Sequence, residues 1–185
     1  IRLLRDQGIT LAVSLPCDKA KELFSLLPES FETVELLREE DGVGVCAGAF
    51  LAGRKPAMFI QSSGLGNMLN ALLSLSRTYE LPLPVIASWR GVYQETIPAQ
   101  VPFNTALPGI LKAAGIPFVS VHQPHELDRV SEMIDTAFRC HTPAVALISP
   151  RCWEGNLSCE QEEEIPDRSR HISVVHERTV PSPTM

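Results

Sequence analysis

Short apolar runs and helical patterns alternate along this chain. The runs Ile9 to Leu15, Thr33 to Leu37, Pro56 to Gln61, Pro84 to Ser88, Phe118 to Val121 and Ala144 to Ser149 are of strand length. Most are near-continuous in apolar residues, the pattern of strands covered on both faces. Between them, helices are predicted over about Asp18 to Leu27, Glu39 to Leu51, Asn67 to about Thr78, Ala106 to Ala114 and Glu126 to Arg139. This alternation predicts an α/β fold, a doubly wound six-stranded parallel sheet with helices on both faces. Ligands of such folds bind beyond the carboxyl ends of the strands. The turns at Leu15 to Lys19, Arg38 to Asp41, Ser62 to Asn67 and Trp89 to Asn104 therefore form the functional edge.

Beyond Gly155 the pattern stops. An acidic run, Glu160-Gln161-Glu162-Glu163-Glu164, and prolines at 166, 181 and 183 mark a solvated tail or linker. The expected organisation is an α/β domain over 1–155 and an acidic, Pro-containing tail over 156–185.

One predicted helix departs from the usual core composition. Between Glu39 and Phe50 it carries Gly42, Gly44 and Gly48, which together give up about 3 kcal/mol of local helix preference relative to alanine. Tight packing against another helix, a ligand pressed onto the backbone, or both would offset that loss. The acid at the helix start would sit where such a ligand lies.

Composition narrows the function classes. The chain has 185 residues, 44% hydrophobic and 21% charged, with a formal net charge of −6. Arg54, Arg77 and Arg90 are scattered rather than clustered, so no phosphate-backbone footprint forms and nucleic acid is not an expected partner. No apolar run reaches the roughly 18 residues of a membrane helix, and Ile1 to Asp6 lacks a signal-peptide core, so the expected location is cytoplasmic. Cys17, Cys46, Cys140, Cys152 and Cys159 are odd in number and contain no Cys-x-x-Cys pair, which predicts reduced thiols and no metal site.

The turns carry a resemblance. Glu39, followed nine residues later by Gly48, then a strand, then Gln61-Ser62-Ser63-Gly64-Leu65-Gly66-Asn67, resembles the pyrimidine-binding domain of thiamine diphosphate enzymes. Within that superfamily it is most similar to the sulfopyruvate and phosphonopyruvate decarboxylases. Leu15-Pro16-Cys17-Asp18 is similar to the Leu-Pro-Gly-Asp turn of pyruvate decarboxylases, with cysteine in place of glycine. The similarity covers roughly residues 1 to 155.

This resemblance implies thiamine diphosphate with Mg²⁺ as cofactors and a small anionic 2-oxo acid as substrate. It implies that Glu39 exchanges a proton with the cofactor's aminopyrimidine, and that Asp18 assists a later proton transfer. Ser63, Gly64, Leu65, Gly66 and Asn67 would join Glu39 in binding the cofactor. The long loop from Ser88 to Pro102 is an expected wall of the site, with Arg90 and Gln100 facing substrate; a guanidinium fork suits sulfonate, phosphonate or carboxylate oxygens.

Plainer readings stand beside these. Acids at a helix start suit the helix dipole; Asp18 could be a helix N-cap; Ser-Gly-Leu-Gly-Asn could be a tight turn or a degenerate nucleotide fingerprint. Arg90 could form a surface ion pair, and His122 and His125 could be a strand-end pair rather than metal ligands. The family also needs a Gly-Asp-Gly segment for Mg²⁺ and diphosphate, and this sequence has none. The resemblance therefore implies half of an active site, completed by a diphosphate-binding β subunit or domain in a homo- or hetero-oligomer. The competing reading is a non-catalytic α/β subunit that binds a complementary chain.

Overall fold

The structure, a computed structural model, describes residues 1–152; the tail expected over 156–185 and Cys159 lie outside the described residues. Its elements in order are α1 (Arg2–Asp6), β1 (Leu11–Ser14), α2 (Lys21–Ser30), β2 (Glu32–Glu35), α3 (Glu39–Leu51), β3 (Pro56–Gln61), α4 (Gly64–Ala71), β4 (Leu83–Ser88), α5 (Val101–Ala113), β5 (Phe118–Val121), α6 (Asp128–Arg139) and β6 (Pro143–Ile148). Short α1 was not anticipated. A π-helical stretch, Leu72–Arg77, continues α4.

The six strands form one sheet in the order β2-β1-β3-β4-β6-β5, and every neighbouring pair is parallel. The sheet is covered on both faces, and strand residues alternate between the two cores as their period of 2 requires. Met58, Ile60, Val85, Val145 and Leu147 join Val43 of α3, Met68 of α4 and Leu107 of α5. Ala57, Phe59, Ile86 and Ile148 join Leu4 of α1, Leu27 of α2 and Ile134 of α6. Burial on both faces explains why β3, β4 and β6 lack an apolar and polar alternation.

The chain leaves β1 for edge strand β2 and returns to β3 on the other side of β1. That reversal opens a crevice at the carboxyl ends of β1 and β3, flanked by the starts of α3 and α4. No helix among the described residues is long and apolar enough to cross a membrane.

Candidate active site

Three groups of side chains meet the functional edge, and the first is built around Glu39. Its residue opens α3 directly after β2, and its side chain is buried, with only 6% of the residue exposed. Asn67, on α4, donates an amide hydrogen bond to Glu39 Oε2 at 3.0 Å. Gly64 lies against the other side of the carboxyl group: a Cβ there would stand 2.5 Å from Glu39 Oε1 and 2.6 Å from its Cγ. Gly64 thus makes the room that Glu39 fills. Among the described residues Glu39 has no ion pair, and Oε1 makes no hydrogen bond.

The glycines of α3 divide. A Cβ on Gly42 would collide with Leu36 and Met58, so that position is the expected close approach inside the fold. A Cβ added at Gly44 or Gly48 would meet nothing within 4 Å outside the helix's own backbone among the described residues, and Val45 and Leu51 on the same helix are exposed. The close helix partner expected for these two glycines is not part of the described fold.

The second group shows that the Ser-Gly-Leu-Gly-Asn segment is not a turn before a helix at Asn67. It is the opening of α4, with Ser63 at the N-cap and both glycines inside the first turn. The Ser63 hydroxyl makes no capping bond and instead donates to Gln100 Oε1. Ser62, fully buried, donates to Asn104 Oδ1, and the Asn104 amide donates to Ser63 Oγ at 3.0 Å and to the Gln100 carbonyl at 2.6 Å. Leu65 places its side chain in the core, whereas Gly66 is exposed beside Phe103.

Helix α5 starts at Val101, five residues before its expected start at Ala106. Pro102 falls in the first turn, where a missing N–H costs nothing. Pro108 lies inside the helix and cannot donate to the Asn104 carbonyl. The Trp89 indole N–H, at 3.1 Å, satisfies that carbonyl instead. The early start places Gln100 at the head of α5, one turn before buried Asn104.

Arg90 anchors the third group. The expected alternative of a surface ion pair is corrected: Arg90 and its partner Glu95 are both buried. Arg90 Nε and Nη2 reach the two Glu95 oxygens at 2.7 and 2.8 Å, while the backbone N–H groups of Gly91 and Ile97 complete the carboxylate's shell at 3.1 Å each. These hydrogen bonds, the guanidinium's first, hold the Glu95 carboxyl at about 2. Burial opposes this shift but does not overcome it. Nη1 keeps a long contact of 3.4 Å to Gln61 Oε1. Gly91 has φ +78° and would drive a Cβ to within 2.6 Å of the Gln100 carbonyl oxygen, so the tight turn requires glycine. The fork expected to face a substrate anion is thus held by the loop's own acid.

Asp18 is not drawn into these groups. It is exposed at the start of a short 3-10 turn after β1, and the N-cap position there belongs to Cys17, so the expected capping role is not made. His122 packs against Trp89 with the rings tilted by 50° and their centroids 5.4 Å apart. No cluster of three His, Cys, Asp or Glu side chains suited to a metal occurs among the described residues.

Sequence reasoning missed Asn104, Glu95 and the part played by Ser62. Pro102 at a helix start was the available signal for the first, because it places Gln100 and Asn104 at i and i+4.

Residues 1–128 match the thiamine pyrophosphate enzyme, N-terminal TPP binding domain family. Over 159 residues the chain is 49% identical to the sulfopyruvate decarboxylase of Methanosarcina acetivorans, covering 86% of this chain but 41% of that protein. It is 33% identical over 156 residues to sulfopyruvate decarboxylase subunit alpha of Methanococcus maripaludis, covering 83% of this chain and 93% of that one. The fold matches the crystal structure of benzoylformate decarboxylase from Polynucleobacter necessarius with a TM-score of 0.67 at 20% identity, covering 89% of this chain and 31% of that chain.

Proposed function

We propose, because the chain belongs to the family of N-terminal thiamine pyrophosphate-binding domains of thiamine pyrophosphate enzymes, that it supplies the pyrimidine-binding half of a sulfopyruvate decarboxylase. The observation that carries this reading is the Glu39 carboxyl: buried, oriented by a neutral amide through one oxygen and, among the described residues, without a hydrogen-bond partner at the other. That arrangement fits a ring nitrogen which must gain and lose a proton. Bound beside it, thiamine diphosphate supplies a nucleophilic carbon and an electron sink for decarboxylation.

Glu39 holds and moves the proton at Oε1. Asn67 fixes the carboxyl's direction, Gly64 gives it space, and the first turn of α4 lines the cofactor's approach. Asp18, exposed on the same edge, is assigned the later proton transfer. The 2-oxo acid meets the loop that carries Arg90 and Gln100, with sulfopyruvate preferred over phosphonopyruvate because of the named relatives. Mg²⁺ and the diphosphate are assigned to a diphosphate-binding chain or domain, and the open Gly44 and Gly48 face of α3 supports contact with that partner.

The test mixes the purified chain with a complementary diphosphate-binding chain, thiamine diphosphate and Mg²⁺, and follows CO2 release from sulfopyruvate and phosphonopyruvate. Only the mixture should turn over, and Glu39→Gln should lower turnover by about 10²- to 10⁴-fold while leaving the melting temperature near the parent's. Parental turnover by Glu39→Gln, or full turnover by the chain alone, would overturn the assignment.

A further inference from the structure

The hydrogen bonds around Asn104 run in one direction, and that direction is set by one backbone group, the Gln100 carbonyl. At one end the Arg90 backbone N–H, which can only donate, points at Ser62 Oγ from 2.9 Å. Ser62 accepts there and keeps its own proton free for Asn104 Oδ1. At the other end the Gln100 carbonyl, which can only accept, lies 2.6 Å from Asn104 Nδ2. The Gln100 carbonyl thus fixes which atom of the Asn104 amide is nitrogen, and the Ser62 hydroxyl, which can donate or accept, donates to the oxygen that is left.

The remaining steps follow. Asn104 Nδ2 also donates to Ser63 Oγ at 3.0 Å and faces the near atom of the Gln100 side chain, where a second N–H₂ would be opposed; that atom is therefore Oε1, and it accepts the Ser63 proton. The same amide nitrogen lies 3.4 Å from Oε1. Gln100 Nε2 is left turned away, and among the described residues it makes no hydrogen bond. Asn104 is fully buried, so water does not compete for its amide. A buried network of this kind is worth keeping only if every member is satisfied, and here every buried member is.

We propose that Asn104, Ser62 and Ser63 are positioning residues that lock Gln100 so that it presents an N–H₂ donor, never an acceptor, to an anionic oxygen of the 2-oxo acid. Arg90 cannot fill this place with its fork, because Glu95 already occupies Nε and Nη2. The substrate's oxygen is met by a neutral donor of fixed polarity. This rests on the proposed function for the identity of the oxygen, and on the geometry alone for the polarity.

The experiment uses the reconstituted complex with this chain labelled by ¹⁵N-glutamine, Gln100→Met identifying the Gln100 resonance. In the parent, the Gln100 side-chain protons should exchange at the rate of a solvent-facing amide and shift when the 2-oxo acid is added. Asn104→Asp reverses the network: Ser63 then donates to the carboxylate, and Gln100 must turn its N–H₂ inward, which should slow that exchange. Ser63→Ala, which removes the relay without adding charge, should leave two orientations and exchange at an intermediate rate, should Asn104→Asp fail to fold. Gln100→Met should raise KM by about 10- to 100-fold, the value of one hydrogen bond to a charged group, with kcat less affected. Protected Gln100 protons in the parent would overturn the polarity, and an unchanged KM in Gln100→Met would overturn its assignment to substrate. A parent complex that turns over no 2-oxo acid would overturn the proposed function while leaving the exchange result intact.

Discussion

Gly64→Ala is the sharpest perturbation available, because the structure says which side chain it must move. The added methyl would stand 2.5 Å from Glu39 Oε1, 2.6 Å from Cγ and 2.8 Å from Cδ, distances that no real contact tolerates. Swinging the carboxyl tip does not relieve the Cγ contact, so the whole side chain must leave its rotamer. That costs about 0.5 to 1.5 kcal/mol, and losing the Asn67 bond to the carboxylate costs about 1.5 to 3 kcal/mol more. Alanine returns up to about 1 kcal/mol of helix preference over glycine. The balance is a loss of about 1 to 4 kcal/mol, which should lower the melting temperature by several degrees or more.

Turnover should respond far more steeply. A displaced Glu39 loses its proton-exchange geometry, so the reconstituted complex should slow by about 10²-fold or more. The decisive assay is a double-mutant cycle. If Gly64→Ala acts through Glu39, the double variant with Glu39→Gln should be no slower than Glu39→Gln alone. Parental turnover in Gly64→Ala, or losses that multiply in the double variant, would refute the claim that Gly64 serves this carboxyl.

Two further outcomes are expected. Gly44→Ala and Gly48→Ala, with open space at both positions, should each stabilise the isolated chain by up to about 1 kcal/mol but weaken its binding to the diphosphate-binding partner; calorimetric melting and titration check both, and unweakened binding would remove α3 from the interface. Glu95, with its folded-state pKa held at about 2, contributes stability that is present above its ordinary value of 4.5 and lost as pH falls toward 2. The shift corresponds to about 3 kcal/mol, so the stability gap between parent and Glu95→Gln in urea unfolding should narrow across that window, and a gap that stays constant would contradict the pairing.

The sheet was legible because both of its faces are covered, and strands such as β3, β4 and β6 cannot afford polar residues at alternate positions. Glu39 at the start of α3 was legible as well, through its spacing to Gly48. The start of α4 was not. Propensity argues against two glycines in a helix's first turn, and the reason for Gly64 is a side chain 25 positions earlier in sequence. Two prolines obscured α5 in the same way: Pro108 is tolerated because Trp89, from another element, takes the carbonyl it leaves free. Arg90 was recognised as an anion-binding group, but its anion lies five residues on, and only the folded loop shows Glu95 curling back to it.

The distribution of charge on this edge has a logic of its own. Arg38 is taken by Glu40 and Arg90 by Glu95, yet buried Glu39 is met by an amide rather than a cation. A guanidinium against Glu39 would favour its charged form and oppose protonation. The neutral Asn67 amide favours the charged form less strongly, and its bond survives in both states, because a proton at Oε1 leaves Oε2 a carbonyl oxygen that still accepts. For the proton exchange proposed for Glu39, the carboxyl must be held in both states, and a neutral donor that need not move when Oε1 gains its proton allows this. Gln100 is held in one orientation as well, since its network is pinned by a backbone carbonyl that cannot donate. The start of α4 therefore carries a fixed donor at Asn67, behind the carboxyl proposed to exchange a proton, and a fixed hydroxyl at Ser63, behind the amide proposed to meet the substrate.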